Sequence, residues 1–455
     1  MTVLYPLQGL TALIGLILVV AILRHPIPTL AAALFLAPFS VAILAAFQSR
    51  LGAAGPLTYW KDALILALFT RAIVHRVRED RRLPIGNAGD NLLLFYCLAF
   101  VAIAILSTQR GTVYPSLGRY VEGPLVLLTI RYLRPTKRQI WILVSAVIGA
   151  ATIMGATAAF EWLGPRLDFQ RWYGASPPPT GEPFVIGSNY RAGSFIYDPL
   201  VLAFYLAGAV PFALAVGTIR TRWRSAALLA TGLIAAGLIA TITRSGYLGG
   251  GIGVITVLAL AVRSAGIRTA LIGITILLSS SAAFYYVTTG SEVFVRSESN
   301  EAHRERTVRA FNLAVERPYG YGLGTTDRNI FRAVGRDTGQ IGATENSYLS
   351  RALEGGVQAL ALYLITLFVT GVRLRNARRG AMAAGDRVGV ALAAGALGAL
   401  IAVALCGLFL GVLELPVELI LWTPAGIALA WASSSPTESP RRPNALSVSP
   451  ASSSS

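Results

Sequence analysis

Apolar runs of roughly twenty residues, the length a helix needs to cross a bilayer, recur along the whole chain, and short polar links separate them. They fall at about 3–23, 28–47, 58–77, 91–107, 118–133, 139–160, 198–219, 225–243, 246–262, 269–288, 356–372, 388–411 and 417–432. The pattern predicts an all-α fold, a polytopic integral membrane helical bundle of about 12–13 transmembrane helices. The run at 58–77 carries Lys61 and Arg71, and the last contains Pro424, so the count and the placement of the N-terminus turn on these two.

Composition agrees with the pattern. The 455 residues are 54% hydrophobic and 13% charged, with mean hydropathy +0.61, whereas an ordinary soluble domain is roughly 25% charged. A soluble globule of this length needs far more polar surface, and lipid tails need none. Solenoids, secreted disulfide scaffolds and nucleic-acid-binding domains are excluded.

The net charge is +17, but the basic residues sit in short clusters between apolar runs, so topology explains them better than nucleic acid does. Only Lys61 and Lys137 are lysines; the bias to arginine fits either GC-rich coding or bidentate phosphate binding. Cys97 and Cys406 each lie inside an apolar run, which argues against a disulfide framework. The first run has no basic n-region and no A-x-A-like site after it, so it reads as a span rather than a cleaved signal.

Arginine-rich links follow alternate spans: Arg76 to Arg82, Arg131 to Arg138, Arg220 to Arg224, Arg263 to Arg268 and Arg373 to Arg387. The positive-inside rule assigns them to the cytoplasm and sends 108–117, 161–197, the turn at 243–246, 289–355 and 412–416 outward. Two outward loops are long. Segment 161–197 holds Pro177-Pro178-Pro179, and 289–345 carries eight acidic and eight basic side chains and reads as a partly helical, folded loop. The expected organisation is N-terminal transmembrane helices over 1–160, a core with the two external loops over 161–372, C-terminal helices over 373–432, and a polar, Pro-rich disordered cytoplasmic tail over 433–455. No internal repeat of the inverted-transporter kind is visible.

Three outward-facing polar positions could carry chemistry. Arg191, in Asn189-Tyr190-Arg191-Ala192-Gly193-Ser194, precedes a helix start marked by Asp198-Pro199; guanidinium donors beside helix N-terminal amides favour a phosphate. It could equally snorkel to the interface or pair with Asp198. Arg244 sits in the tight turn Thr243-Arg244-Ser245-Gly246 between two spans, near membrane depth, where an ionised group is costly unless partnered; the alternative is a topological anchor. Glu345, in Thr344-Glu345-Asn346-Ser347-Tyr348-Leu349, is either an N-terminal helix charge or, at an apolar boundary that raises a carboxyl pKa, a general base for a hydroxyl. All three fall on one predicted side, which strengthens the functional reading of each.

Other features carry less. Arg304, Arg306 and Arg309 recur with Glu305 at helical spacing and suit a solvated, salt-bridged helix. His303 is the sole outward histidine, so no metal site built on His is expected there. Pro318-Tyr319-Gly320-Tyr321-Gly322-Leu323-Gly324 lacks the strand and Lys of a phosphate loop and reads as a tight backbone turn packed close to the head-group surface. Asp62, Glu122 and Asp198 are expected to pair with Lys61, Arg119 and Arg191.

Taken in order, four elements resemble the O-antigen ligase and Wzy-type polymerase superfamily, polytopic enzymes acting on polyprenyl-diphosphate-linked glycans. They are Lys61-Asp62; Arg191-Ala192-Gly193-Ser194-Phe195 with Asp198-Pro199; Thr243-Arg244-Ser245-Gly246; and the stretch from Arg317-Pro318-Tyr319-Gly320-Tyr321-Gly322-Leu323-Gly324 through Glu345-Asn346-Ser347-Tyr348-Leu349 to Leu353-Glu354-Gly355-Gly356. The resemblance is good over roughly 190–360. Ligases typically have His where this chain has Glu345, a departure that fits polymerases or other exopolysaccharide enzymes at least as well.

The resemblance implies inverting glycosyl transfer on the outer side of the cytoplasmic (inner) membrane, with the site facing the periplasm or cell exterior. Arg191 and Arg244 would neutralise the departing diphosphate, and Glu345 would deprotonate the acceptor sugar hydroxyl; Arg306, Tyr319, Asn346 and Tyr348 would bind substrate. Two guanidinium groups call for no metal and no cofactor. The partners implied are a polyprenyl-diphosphate-linked oligosaccharide donor, a glycan or glycolipid acceptor, and membrane lipid. The rival reading is a flippase or small-anion transporter, which should carry ionisable residues deep within several spans, and a third is a purely structural scaffold.

Overall fold

A computed structural model describes residues 19–51, 59–80, 87–107, 110–164, 185–186, 189–219, 222–261, 266, 269, 297–326, 346–409 and 415–434. Each predicted span that falls in these residues is helical. Among the described residues eight helices are long and apolar enough to cross a membrane, and the protein is an all-α polytopic bundle. Most of the predicted spans at 3–23 and 269–288, and the tail beyond 434, lie outside the described residues.

The first elements, α1 (Pro26–Leu36) and α2 (Ser40–Leu51), follow one another through a single 3-10 turn at Ala37–Phe39 and share one candidate span over Pro26–Ala46; Pro38 removes one helical donor in that turn. Then come α3 (Trp60–Asp80), α4 (Ala88–Leu106), α5 (Arg110–Tyr132) and α6 (Lys137–Leu163). The chain enters α6 through a capping box, in which the Thr136 hydroxyl and the Gln139 side chain each accept the other's backbone N–H. Helices α3 and α5 coincide with predicted spans but hold several charged side chains, and α8 (Arg224–Ala240) is short, so none of these three is among the eight.

Among the described residues the strand pairing is a two-residue antiparallel ladder, β1 (Val185–Ile186) with β2 (Asn189–Tyr190). It leads to a 3-10 turn at Ser194–Ile196 and into α7 (Pro199–Gly217). Then follow α8, α9 (Arg244–Ala261), α10 (Ser297–Glu316), α11 (Ser347–Ala383), α12 (Arg387–Cys406) and α13 (Leu415–Ser434).

Helices α7, α12 and α13 are buried along most of their length. In lipid, apolar side chains gain little by meeting each other, so close packing must hold such helices together. Small residues provide it. Gly155 of α6 and Gly237 of α8 touch backbone to backbone, so that a Cβ on Gly237 would strike the Gly155 main chain. Gly253 of α9 and Gly398 of α12 meet in the same way, with Pro211 of α7 against both. One buried cluster runs from Ile22 to Trp431 and ties the first helices to the last.

The arginine-rich ends gather at one end of the bundle. Asp90, at the start of α4, accepts from Arg131 at the end of α5 (2.9 Å) and from Arg373 of α11 (2.7 Å). Arg134 reaches Glu79 at 3.4 Å, and Lys137 lies over the Trp431 ring at 5.1 Å.

Helix α11 corrects one expectation. Residues 347–355 were expected to close the external loop, with the span beginning at Gly356. Instead the helix starts at Ser347, runs buried to Gly355, breaks at Gly356 (φ 81°, ψ 173°) and resumes. Arg351 and Glu354 interrupt the hydropathy signal, yet both are neutralised or hydrogen-bonded inside the bundle.

Candidate functional site

The end of the bundle opposite the arginine cluster is built from the end of α6, the 189–198 segment, the α8–α9 turn, the start of α11, the end of α12 and the start of α13. Arg191 is buried there, 4% exposed. Its Nε donates to the Thr241 carbonyl (3.1 Å) and its Nη2 to the Thr243 hydroxyl (2.9 Å), while the Ala192 amide donates to the Ala240 carbonyl (3.0 Å). The loop before α7 is thus laced onto the turn that ends one residue before Arg244. Arg244 opens α9 and is half-buried. Arg191, on one loop, is thus tied to the turn that leads into Arg244.

Their supports are polar and local. Glu161, at the end of α6 and buried, accepts from the Gly193 (3.1 Å) and Ser194 (3.0 Å) amides through one carboxylate oxygen. Asp198 caps α7 by accepting from the Leu200 and Val201 amides. The Arg191 guanidinium, bonded to Thr241 and Thr243, also acts electrostatically on Asp198. Four described non-glycine residues have positive φ, and three lie here: Ser194 (46°), Tyr197 (63°) and Ile242 (48°). Backbone held against its preference in two adjoining loops marks a place the surroundings over-determine, as functional sites often are.

A second line of contacts leads to the start of α11. The Cys406 thiol lies 3.7 Å from the Ser245 carbonyl. Next to it, Gly407 accepts from the Ser347 amide (2.8 Å) and hydroxyl (2.9 Å), and the Tyr348 hydroxyl donates to the Ala404 carbonyl (2.6 Å). The Asn346 side chain caps α11, accepting from the Tyr348 and Leu349 amides. Asn346 and Tyr348 thus hold the helix start in place. Glu345, the neighbour of Asn346 in the chain, lies outside the described residues.

Arg306 and Tyr319 sit elsewhere. Arg306 is half-buried on α10, whose Ala310 and Ala314 pack on Ala352 and Leu353 of α11. Tyr319 is 83% exposed on the turn after α10.

That turn explains two motifs at once. Where α11 breaks at Gly356, the Tyr321 amide donates to the Leu353 carbonyl (2.6 Å) and the Gly322 amide to the Glu354 carbonyl (3.1 Å), while the Val357 amide donates to the Pro318 carbonyl (2.9 Å). The Gly-rich turn supplies the partners that the broken helix lacks. Gly320 (φ 85°) has no room for a Cβ, which would lie 2.6 Å from the Gly356 nitrogen. The expectation of a tight backbone turn is met, packed on protein.

A buried ion pair and a buried hydrogen-bonded carboxylate that sequence reasoning did not anticipate stand behind this end. Arg351, 1% exposed, pairs with Glu418 of α13 at 2.7 Å, and its guanidinium lies 3.7 Å from the Tyr363 ring centroid. Glu418 also accepts from the Trp422 indole (2.7 Å). Glu354 accepts from the Tyr120 hydroxyl (2.8 Å) and the Thr326 amide (3.1 Å). The Glu-x-Gly motif was a signal for Glu354; Glu161 and Glu418 gave none beyond a lone acid at the end of an apolar run.

Lys61 and Asp62 pair as expected, at 3.6 Å. The expected pair between Glu122 and Arg119 is not formed: both Glu122 carboxylate oxygens are buried and accept no hydrogen bond. Three positions apart on α5, both side chains line one cavity with Lys61 and Asp62, yet no hydrogen bond reaches Glu122. Among the described residues, no group of three His, Cys, Asp or Glu side chains could hold a metal ion.

The fold and this polar end define a multi-pass helical membrane protein with guanidinium groups clustered at one end of the bundle. Residues 229–364 match the family Wzy_C, described as O-antigen ligase, and the O-antigen ligase and polymerase superfamily is thereby supported for this chain. The matched segment spans the Arg244 turn and the start of α11. No curated protein matches the chain.

Proposed function

We propose that the protein transfers a glycan from a polyprenyl-diphosphate carrier to an acceptor sugar hydroxyl, with inversion, on the outer side of the cytoplasmic membrane, in O-antigen or exopolysaccharide assembly. The observation that carries the reading is the lacing of Arg191 onto Thr241 and Thr243, directly before Arg244. Two cations on separate loops, one of them bonded to the residue that precedes the other, suit a diphosphate whose charge grows as it departs. Orienting them beforehand avoids reorganisation during the reaction.

Glu345 takes the proton of the attacking hydroxyl. The family match over 229–364 and the contacts joining Ser245, Cys406, Gly407 and Ser347 support placing it on this end. Arg306, Tyr319 and the segment up to 345 select the acceptor, and the units 1–160, 161–372 and 373–432 serve as scaffold, catalytic core and closing helices. The gathering of Asp90, Arg131, Arg134, Lys137 and Arg373 at the opposite end supports a cytoplasmic position for that end.

The test is the surface glycan of a deletion strain carrying Arg191→Ala, Arg244→Ala or Glu345→Ala at wild-type protein level. Each is expected to lose the product. Single-repeat units retained without long chains identify a polymerase, and full-length glycan stranded on the carrier lipid identifies a ligase. Wild-type glycan from any of the three, or cysteine labelling that finds one of them facing the cell interior, overturns the proposal.

A further inference from the structure

A cavity of about 250 Å3 lies between the start of α2, the start of α3, the middle of α5, the Ser194–Ile196 turn and the start of α13. It holds four charged side chains, Lys61, Asp62, Arg119 and Glu122, against apolar walls that include Tyr59 and Leu415. Glu122 is 3% exposed, yet neither of its carboxylate oxygens accepts a hydrogen bond. A buried, unpaired carboxylate is costly and asks for donors from a ligand. Gly118, one helical turn earlier, is what lets two acids flank the same spot: a Cβ there would lie 2.9 Å from Glu122 Oε1 and 3.2 Å from Asp62 Oδ1.

The composition of the cavity selects among ligands. Two carboxylates repel a phosphate. Lys61 and Arg119 repel an ammonium group or a divalent cation, which would also need more oxygen ligands than two acids provide. A neutral polyol fits, because each hydroxyl can donate to Glu122 or Asp62 and accept from Lys61 or Arg119. The volume lies below the roughly 300–1,000 Å3 of pockets for drug-sized ligands, so it accommodates a single sugar ring rather than an oligosaccharide. An aromatic ring at the mouth, Tyr59, offers a face for the C–H side of a pyranose.

We infer that this cavity is a pyranose-binding subsite, with Glu122 as its central hydrogen-bond acceptor, in which one sugar ring of the acceptor is held. The role as acceptor subsite rests on the glycosyl-transfer reading above; the binding of a pyranose does not. Ile196, on the cavity wall, is five residues from Arg191 along the same buried segment, so a ring seated here adjoins the loop that carries the first guanidinium.

The experiment uses the full chain in lipid nanodiscs and saturation-transfer NMR, with the methyl α-pyranosides of glucose, galactose and mannose as probes at millimolar concentration. At least one is expected to give a transfer signal with wild type. Glu122→Leu, which removes the acceptor and the buried charge together, weakens that binding by about tenfold or more. Gly118→Val, which fills the space between the two acids, does the same, while Gly380→Ala, on an exposed stretch of α11 outside the cavity lining, keeps the signal. Absence of any wild-type signal, or a signal unchanged by both Glu122→Leu and Gly118→Val, overturns the subsite. Glycan transfer surviving in Arg191→Ala overturns the functional reading instead, so the two failures are told apart.

Discussion

The Nη2 of Arg191 donates to Oγ1 of Thr243 at 2.9 Å, so the cation of one loop is gripped by the residue immediately before Arg244, the cation of the next. The Thr241 carbonyl takes a second donor of the same guanidinium at 3.1 Å. Orientation of Arg191 is thus set by the turn it shares, and the turn carries the strained Ile242 (φ 48°) between its two acceptors.

Replacing Arg191 with lysine keeps the charge but loses the fork that reaches both acceptors. Transfer is expected to fall by roughly 10²–10³-fold, the range seen when one transition-state donor is removed. Thr243→Val keeps the β-branched shape and deletes only the hydroxyl; about a tenfold loss is expected, equivalent to one hydrogen bond of about 1.4 kcal/mol. Both are read as initial rates of glycan transfer in membranes at equal protein level. Equal rates for wild type and Thr243→Val would show that this contact does not orient the cation.

Glu345→Gln removes the proposed proton acceptor and is expected to lower the rate by roughly 10²–10⁴-fold. Glu345→His restores a base of higher ordinary pKa, about 6.5 against about 4.3. The base must be deprotonated to act, so activity is lost as pH falls through its pKa. The acid limb of the rate profile should therefore move upward in the histidine variant. An unmoved limb would assign the titration, and the base, to another group.

The Arg351–Glu418 pair is buried on both sides. Removing one partner leaves a charge uncompensated, and either Arg351→Met or Glu418→Gln is expected to cost about 3–5 kcal/mol. The double variant should cost less than the two singles added together, because no lone charge remains. Thermal unfolding in detergent reports the difference. Additive costs would mean that the Tyr363 ring, 3.7 Å from the guanidinium, rather than Glu418, holds Arg351 in place.

Spans such as 139–160 and 198–219 were legible because a bilayer imposes length and apolarity on the sequence itself. The turn at Thr243 was legible as a turn for the same reason: two such runs leave little between them. What the linear pattern hides is pairing across distance. Arg351 and Glu354 read as polar loop residues because their partners, Glu418, Tyr120 and Thr326, lie 67, 234 and 28 positions away. Glu122 was read as the partner of Arg119, three residues before it; both line one cavity, but spacing on a helix reports proximity and not the geometry that a hydrogen bond requires. Gly356 was read as the start of a span, whereas it is a break inside a helix begun nine residues earlier; the break shows in its φ and in the donors that the 318–322 turn brings to it.

Two glycines of α11 test that account of the break. Gly356 has φ 81°, and a Cβ on it would come within 2.6 Å of the Pro318 carbonyl oxygen. Gly356→Ala is therefore expected to destabilise by about 1–3 kcal/mol through backbone strain alone, with the crowding of Pro318 in addition. Gly380 lies on the exposed side of the same helix with nothing near its missing Cβ, and Gly380→Ala should stabilise by about 0.5–1 kcal/mol, the ordinary helical preference for alanine. Opposite signs from the same substitution on one helix, read by thermal unfolding in one detergent, would tie the break to the left-handed residue. If Gly356→Ala is as stable as wild type, then α11 tolerates a continuous helix there, and the bonds from Tyr321 and Gly322 do not define the turn that packs against it.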